Sequence, residues 1–136
     1  MIEGSLAMTK KAAEWLDQAE YDMKTAKFLL KGGRHIYAVF MCHLSLEKAL
    51  KGLHVHVLDT PPPKIHDLLY FVRKMSLDPP VDTLEFLTDL NEVSVVTRYP
   101  EDLRKIQAQF HKKRTADLLK RGQEALAWLA AKYSES

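Results

Sequence analysis

The sequence predicts an all-α fold, an up-and-down bundle of four to five helices. Three observations carry that expectation. Apolar residues recur at spacings of three and four through most of the chain, as they do in helices that bury one face. The breaks between those runs are proline clusters and a glycine pair, which stop helices. The one strand-like run, "VSVVTRYP" at 93–100, would be an isolated strand with nothing to pair with, so it reads as the end of a helix.

The first helix spans 9–31, with Ala12, Trp15, Leu16, Ala19, Met23, Ala26 and Leu30 on one stripe and Gly32 and Gly33 at its end. Asp22 lies at the edge of that stripe, where a partly buried carboxylate needs a partner. Ile36, Val39, Phe40, Leu46, Leu50, Leu53 and Val57 share a face on a second helix, from Ile36 to Leu58, which "DTPPP" stops. Leu68, Leu69, Val72 and Met75 mark a short third helix closed by "LDPP". A fourth follows from Leu87, Leu90 and Val93, with Thr83 and Phe86 beside them. After Pro100, Leu103, Ile106 and Phe110 form a stripe about half a turn out of phase with Leu118, Gly122, Leu126 and Leu129. A bend is therefore expected near His111 to Arg114, before a last helix over 113–133.

A chain of 136 residues can bury about two thirds of its unfolded surface in one core. Residues 9–133 are expected to form a single domain behind a flexible segment, 1–8. The lone Cys42 cannot form an internal bridge and sits in an apolar pattern, so a buried reduced thiol and a cytoplasmic protein are expected. "MIEGSLAM" lacks the basic and apolar runs of an export signal, and no stretch is long and apolar enough for a membrane span. Net charge is only +2, but seven Lys or Arg face a single acid, Asp117, between Arg104 and Arg121. A polyanion would meet that end first.

The second helix carries a polar row. His43, Glu47, Leu50 and His54 are spaced four, three and four, which aligns them along the helix, within about 40° of Ile36. Lys48 projects to the solvent side and Lys51 to the boundary. Such a row is either a hydrogen-bonded core network or the wall of a ligand pocket or interface. The other polar outliers are Asp22, His66 and Asp67 at the start of the third helix, and Arg98 and Tyr99 at the end of the fourth. Glu47 is expected to pair with Arg98, His66 or Tyr99 from another helix.

Several chemistries lack their residues. A helical di-metal site requires Glu-x-x-His, which is absent, and zinc requires clustered Cys and His, so no metal site is expected. "KGGRH" is not a phosphate-cradling loop, and there is no Gly-x-Ser-x-Gly.

Taken in order, four segments resemble the HEPN family, small helical bundles named for nucleotide binding in higher eukaryotes and prokaryotes. They are "WLDQAEYDMKTAKFLL", "AVFMCHLSLEKALKGL" with its Glu-Lys-x-Leu-Lys, "KIHDLLYFV" with His-Asp-Leu, and "TRYP", which is similar to the Arg-Tyr-Pro of one large branch. The resemblance implies a four- or five-helix bundle, commonly a homodimer, often encoded beside a minimal nucleotidyltransferase in a toxin–antitoxin arrangement, with no cofactor. It points to a binding module for a nucleotide or that partner, with Glu47, Lys48, Lys51, His66, Arg98 and Tyr99 as candidate ligand-binding residues. The cations would hold phosphates and Tyr99 would stack on a base.

The alternative is a metal-independent ribonuclease. Some HEPN members use an Arg and a His with four to six residues between them, the first of these polar, arginine stabilising phosphate charge and histidine acting in acid–base chemistry. Here Arg98 has no such histidine, whereas Arg104 and His111 have six residues between them. The basic residues from Lys112 to Arg114, with Lys120 and Arg121, would then position RNA.

Overall fold

Thr9 opens the first helix, α1 (Lys10–Lys31), by accepting the Ala12 N–H at 3.1 Å on its hydroxyl. Gly32 closes it and Gly33, at φ 78°, takes the left-handed conformation that lets the chain reverse within a few residues. The computed structural model describes residues 8–98 and 103–135. Five more helices follow: α2 (His35–Leu58), α3 (Leu68–Lys74), α4 (Val81–Arg98), α5 (Leu103–Gln109) and α6 (Lys112–Lys132). Among the described residues there is no strand, and α4 runs helically through Val93–Arg98 despite its β-branched residues. The expected flexible segment lies outside the described residues except for Met8.

α2 is the axis of the bundle. Sixteen of its 24 residues are buried, so it is not a surface helix with one inward face but a central one enclosed on most sides. α1 runs antiparallel beside it, joined where the Ser45 hydroxyl donates to the Ala19 carbonyl at 2.6 Å. α6 runs alongside α2 in the same sense, with Gly122 against Cys42 and the Tyr133 hydroxyl donating to the Ala49 carbonyl at 2.5 Å. With α4, these long helices make the up-and-down bundle, and the seven-residue α3 and α5 bridge its ends.

Three local expectations need correction. Val57 is exposed, although Val55 and His56 beside it are buried, so its side chain falls on the arc of α2 left open at this end. Lys48 does not stand free in solvent: its ammonium lies 2.9 Å from Asp22 of α1, and the partner that the buried carboxylate needed is this lysine. Lys51 is buried rather than at the boundary, folded back onto Glu47 one turn earlier. The break between α5 and α6 falls at Phe110 and His111, at the near edge of the expected bend, and the His111 ring caps α6.

Two glycines set how closely the central helix is approached. A side chain at Gly52 would overlap the Tyr133 hydroxyl and Trp15, and one at Gly122 would overlap the Cys42 sulfur. Burial pushes the Cys42 thiol up to about 12, which keeps it protonated and unreactive. Gly52→Ala is expected to lower unfolding stability by about 1–3 kcal/mol, because both neighbours are wedged between helices and cannot simply swing away. Urea denaturation checks this. An unchanged midpoint would show that α1 and α6 yield freely at this crossing.

Candidate functional site

The side chains that could do chemistry converge on Glu47. Its carboxylate, only 4 % exposed, sits midway along α2. One oxygen, Oε2, accepts from the Lys51 ammonium at 3.0 Å; the other, Oε1, faces His66 Nδ1 at 2.9 Å and Arg98 at 3.4 Å. His43 Nδ1 lies 3.8 Å from the same Oε1. Burial alone would raise the Glu47 carboxyl, but the hydrogen bonds from Lys51 and His66 and their charges hold it below the usual carboxylate value. One negative charge thus faces two permanent positive ones, Lys51 and Arg98, and the cluster keeps an unneutralised cation.

His43 is fully buried, and that burial, with the Arg98 charge, lowers it to about 4 against the pull of Glu47 and a hydrogen bond to Asn91, both of which favour the protonated ring. It is neutral near neutral pH, and its Nδ1 accepts from the Arg98 guanidinium at 3.4 Å. The guanidinium also lies over the Phe40 ring, 4.8 Å from its centroid. Three contacts of different kinds therefore fix one arginine at the end of α4.

His66 is placed by the start of α3. The Asp67 carboxylate caps that helix through the Leu69 N–H at 3.0 Å and accepts from the Asn91 amide of α4 at 2.6 Å. Asn91 in turn accepts the Leu68 N–H at 3.0 Å. This clasp ties α3 to α4 and holds the preceding histidine over Glu47. Desolvation opposes ionisation of Asp67, but the Asn91 and backbone hydrogen bonds outweigh it and keep its carboxyl low.

Arg98 has a second side. It is 16 % exposed and lines a hollow of about 450 Å³ between the first turn of α2, the end of α4 and α5. Arg34, His35, Tyr37 and Gln107 complete its polar wall. The His35 ring donates to the Phe110 carbonyl at 2.7 Å, which ties the α2 start to the α5–α6 break. Among the described residues lining this hollow there are two arginines and no carboxylate. A smaller depression on the other side of Tyr37 and Arg98 is floored by Phe40. By contrast, the groove of about 580 Å³ between α4 and α6 mixes Asp89, Glu92 and Asp117 with Lys113, Arg114 and Arg121, and offers no uniform field to an anion.

Of the candidate residues, the fold gathers Glu47, Lys51, His66 and Arg98. Lys48 points away toward Asp22, and Tyr99 lies outside the described residues. Arg104 and His111 are both exposed, the first on α5 and the second at the α5–α6 break. His111 Nδ1 accepts the Arg114 N–H at 3.3 Å as a helix cap. His54, from the same row of α2, faces the Thr60 carbonyl at 3.1 Å and packs edge-on against Phe71, so its role is to hold the chain after α2. Sequence reasoning missed Asn91, Arg34, His35, Tyr37 and Gln107. Only "GGRHIY", with two bases and an exposed tyrosine at a helix start, carried a signal. No group of His, Cys, Asp or Glu among the described residues is arranged to hold a metal. No helix among them is long and apolar enough to cross a membrane.

The profile of one family, described as the HEPN domain, matches residues 12–133. The chain belongs to the HEPN domain family. Among solved structures, the HEPN bundle is similar to TT1696 from Thermus thermophilus, at 24% identity and a TM-score of 0.77, covering 91% of this chain and 99% of that one. It is also similar to ST0689, described as an archaeal HEPN homologue, at 22% identity and a TM-score of 0.73, covering 93% and 100%. At those identities the likeness is one of fold. A comparison with curated proteins gave no match.

The two lowered groups make this HEPN domain acid-sensitive. An unfolded chain takes up protons on His43 from its ordinary 6.5 downward while the folded one resists until about 4, and on Glu47 the folded carboxyl resists below the usual 4.5. Since the unfolded state binds more protons, stability falls as pH falls through that range. His43→Gln is expected to remove the part of the decline between 6.5 and about 4, measured by urea unfolding at stepped pH. An identical slope in both proteins would mean that His43 is not buried neutral.

Proposed function

We propose that this HEPN domain is a binding module, dimeric and cytoplasmic, that holds the phosphate of a nucleotide in the Arg98 hollow. In this reading it works beside a minimal nucleotidyltransferase in a toxin–antitoxin-like pair. The observation that carries the proposal is the position of Arg98, fixed from behind by Glu47, His43 and Phe40 and open in front to a hollow that has, among the described residues lining it, a second arginine and no acid. A guanidinium already held in place loses little freedom on binding, so more of its charge-assisted hydrogen bonding is realised as affinity. Tyr37, exposed at the rim, offers a ring on which a base can stack.

The same arrangement supports binding more than turnover. Glu47 has no vacant role as a base, since both oxygens are engaged and it stays ionised. The ribonuclease alternative, with Arg104 and His111, has less support: the His111 Nδ1 serves as a cap, and Arg104 is not among the residues lining either of the two larger hollows. Cleavage of RNA in chelator by the wild type, lost in His111→Ala, would reinstate it.

Titration calorimetry tests the binding reading. Nucleoside mono- or triphosphates are expected to bind, with affinity falling as salt rises, whereas the parent nucleosides bind at least about tenfold more weakly. Arg34→Ala, which leaves the Glu47 cluster untouched, is expected to weaken phosphate-bearing ligands about threefold to tenfold, and Arg98→Ala more. Equal affinity for nucleoside and nucleotide would contradict a phosphate site at Arg98.

A further inference from the structure

α1 has a second face that the bundle does not use. Its inner face packs on α2 and α6, burying Ala12, Ala19, Met23 and Ala26. On the opposite side Tyr21 and Phe28 are 72% and 75% exposed, more than any other large apolar side chain among the described residues. They are seven residues apart and so stand about two turns from one another on one line. Glu14, Asp17, Lys24 and Lys31 complete that line, all six side chains falling within an arc of about 100°. None of these four charges has an ion-pair partner among the described residues.

The order along the line is acid, acid, aromatic, base, aromatic, base. Reversed, that order sets the acidic end of one copy beside the basic end of the other. We propose that α1 is a self-association surface, in which the outer faces of two copies of this chain pair antiparallel about a two-fold axis beside Asp22 and Met23. The heptad spacing of the line sets the register, because in antiparallel pairs the first position of one helix faces the fourth of the other. Glu14 then meets Lys31 of the second copy and Tyr21 meets Lys24, each twice by symmetry. On one flank Glu20 comes opposite Lys27. The layer of Phe28 against Asp17 is the weak one, and its carboxylate turns to solvent at the edge.

Charge decides the occupant. A polyanion would be drawn to Lys24, Lys27 and Lys31 but repelled by Glu14, Asp17 and Glu20 on the same surface, whereas a reversed copy pairs Glu14 with Lys31 and Glu20 with Lys27. With few apolar atoms, the contact is weak and salt-sensitive. The inference deepens the dimeric part of the proposed function by naming a surface, and it does not depend on the Arg98 hollow.

Sedimentation across a concentration series tests it on the full chain. Wild type is expected to associate, and Glu14→Lys or Lys31→Glu alone to weaken association about tenfold by placing like charges opposite each other twice. The double variant Glu14→Lys/Lys31→Glu restores the pairs in reverse and is expected to recover wild-type association. All these positions are exposed, so folding is not at issue, and circular dichroism verifies it. A dimer equally strong in all four proteins would overturn the α1 surface while leaving a dimeric module. A wild type monomeric throughout would remove both. Failure of the double variant to recover would also overturn it, as would oligonucleotide binding that Tyr21→Ala/Phe28→Ala abolishes without changing association.

Discussion

One buried carboxylate organises this molecule. Glu47 reaches Lys51 on its own helix, His66 before α3 and Arg98 at the end of α4. These segments are far apart in sequence, and no apolar contact would fix their polar ends to one another. Removing a carboxylate from water is costly, and it persists in the core only because three donors offset that cost together. The geometry of the Arg98 hollow therefore rests on Glu47, although Glu47 does not line it.

The consequence for function is a division of labour along a single side chain. The aromatic and carboxylate contacts of Arg98 lie on the core side, and its open side faces the hollow. Because Glu47 must also answer Lys51, it does not cancel the arginine, and positive potential survives where an anion would arrive. Lys51 thus acts at a distance, by competing for the carboxylate. Asn91 acts at a greater one, since it sets the α3 start that carries His66.

Much of the fold was legible because it depends on local pattern. The spacing of apolar residues marked every long helix, and "KGGRH" and "DTPPP" marked the stops, since glycine and proline act through the backbone alone. The inward direction of His43 and Glu47, and the choice of His66 and Arg98 as partners, were legible from helical phase and from the shortage of other polar residues in apolar runs. Phase misled at Lys48 and Lys51, however. A helix wheel assumes one buried face, and α2 is enclosed on most sides, so long side chains at its supposed margin turn inward to buried acids. Asn91 and Gln107 carried no signal, because a residue that matters through a tertiary hydrogen bond or a shared hollow looks like any polar surface residue until its neighbours are known.

The central claim is that Glu47 and Arg98 are energetically coupled and not merely adjacent. A double-mutant cycle with Glu47→Gln, Arg98→Met and the pair, read by urea unfolding near neutral pH, measures that coupling directly. The account predicts an interaction of about 1–3 kcal/mol, because each single change leaves a partly buried charge short of a partner. Additivity within about 0.3 kcal/mol would contradict it and would reduce the arginine to a surface residue that happens to lie nearby.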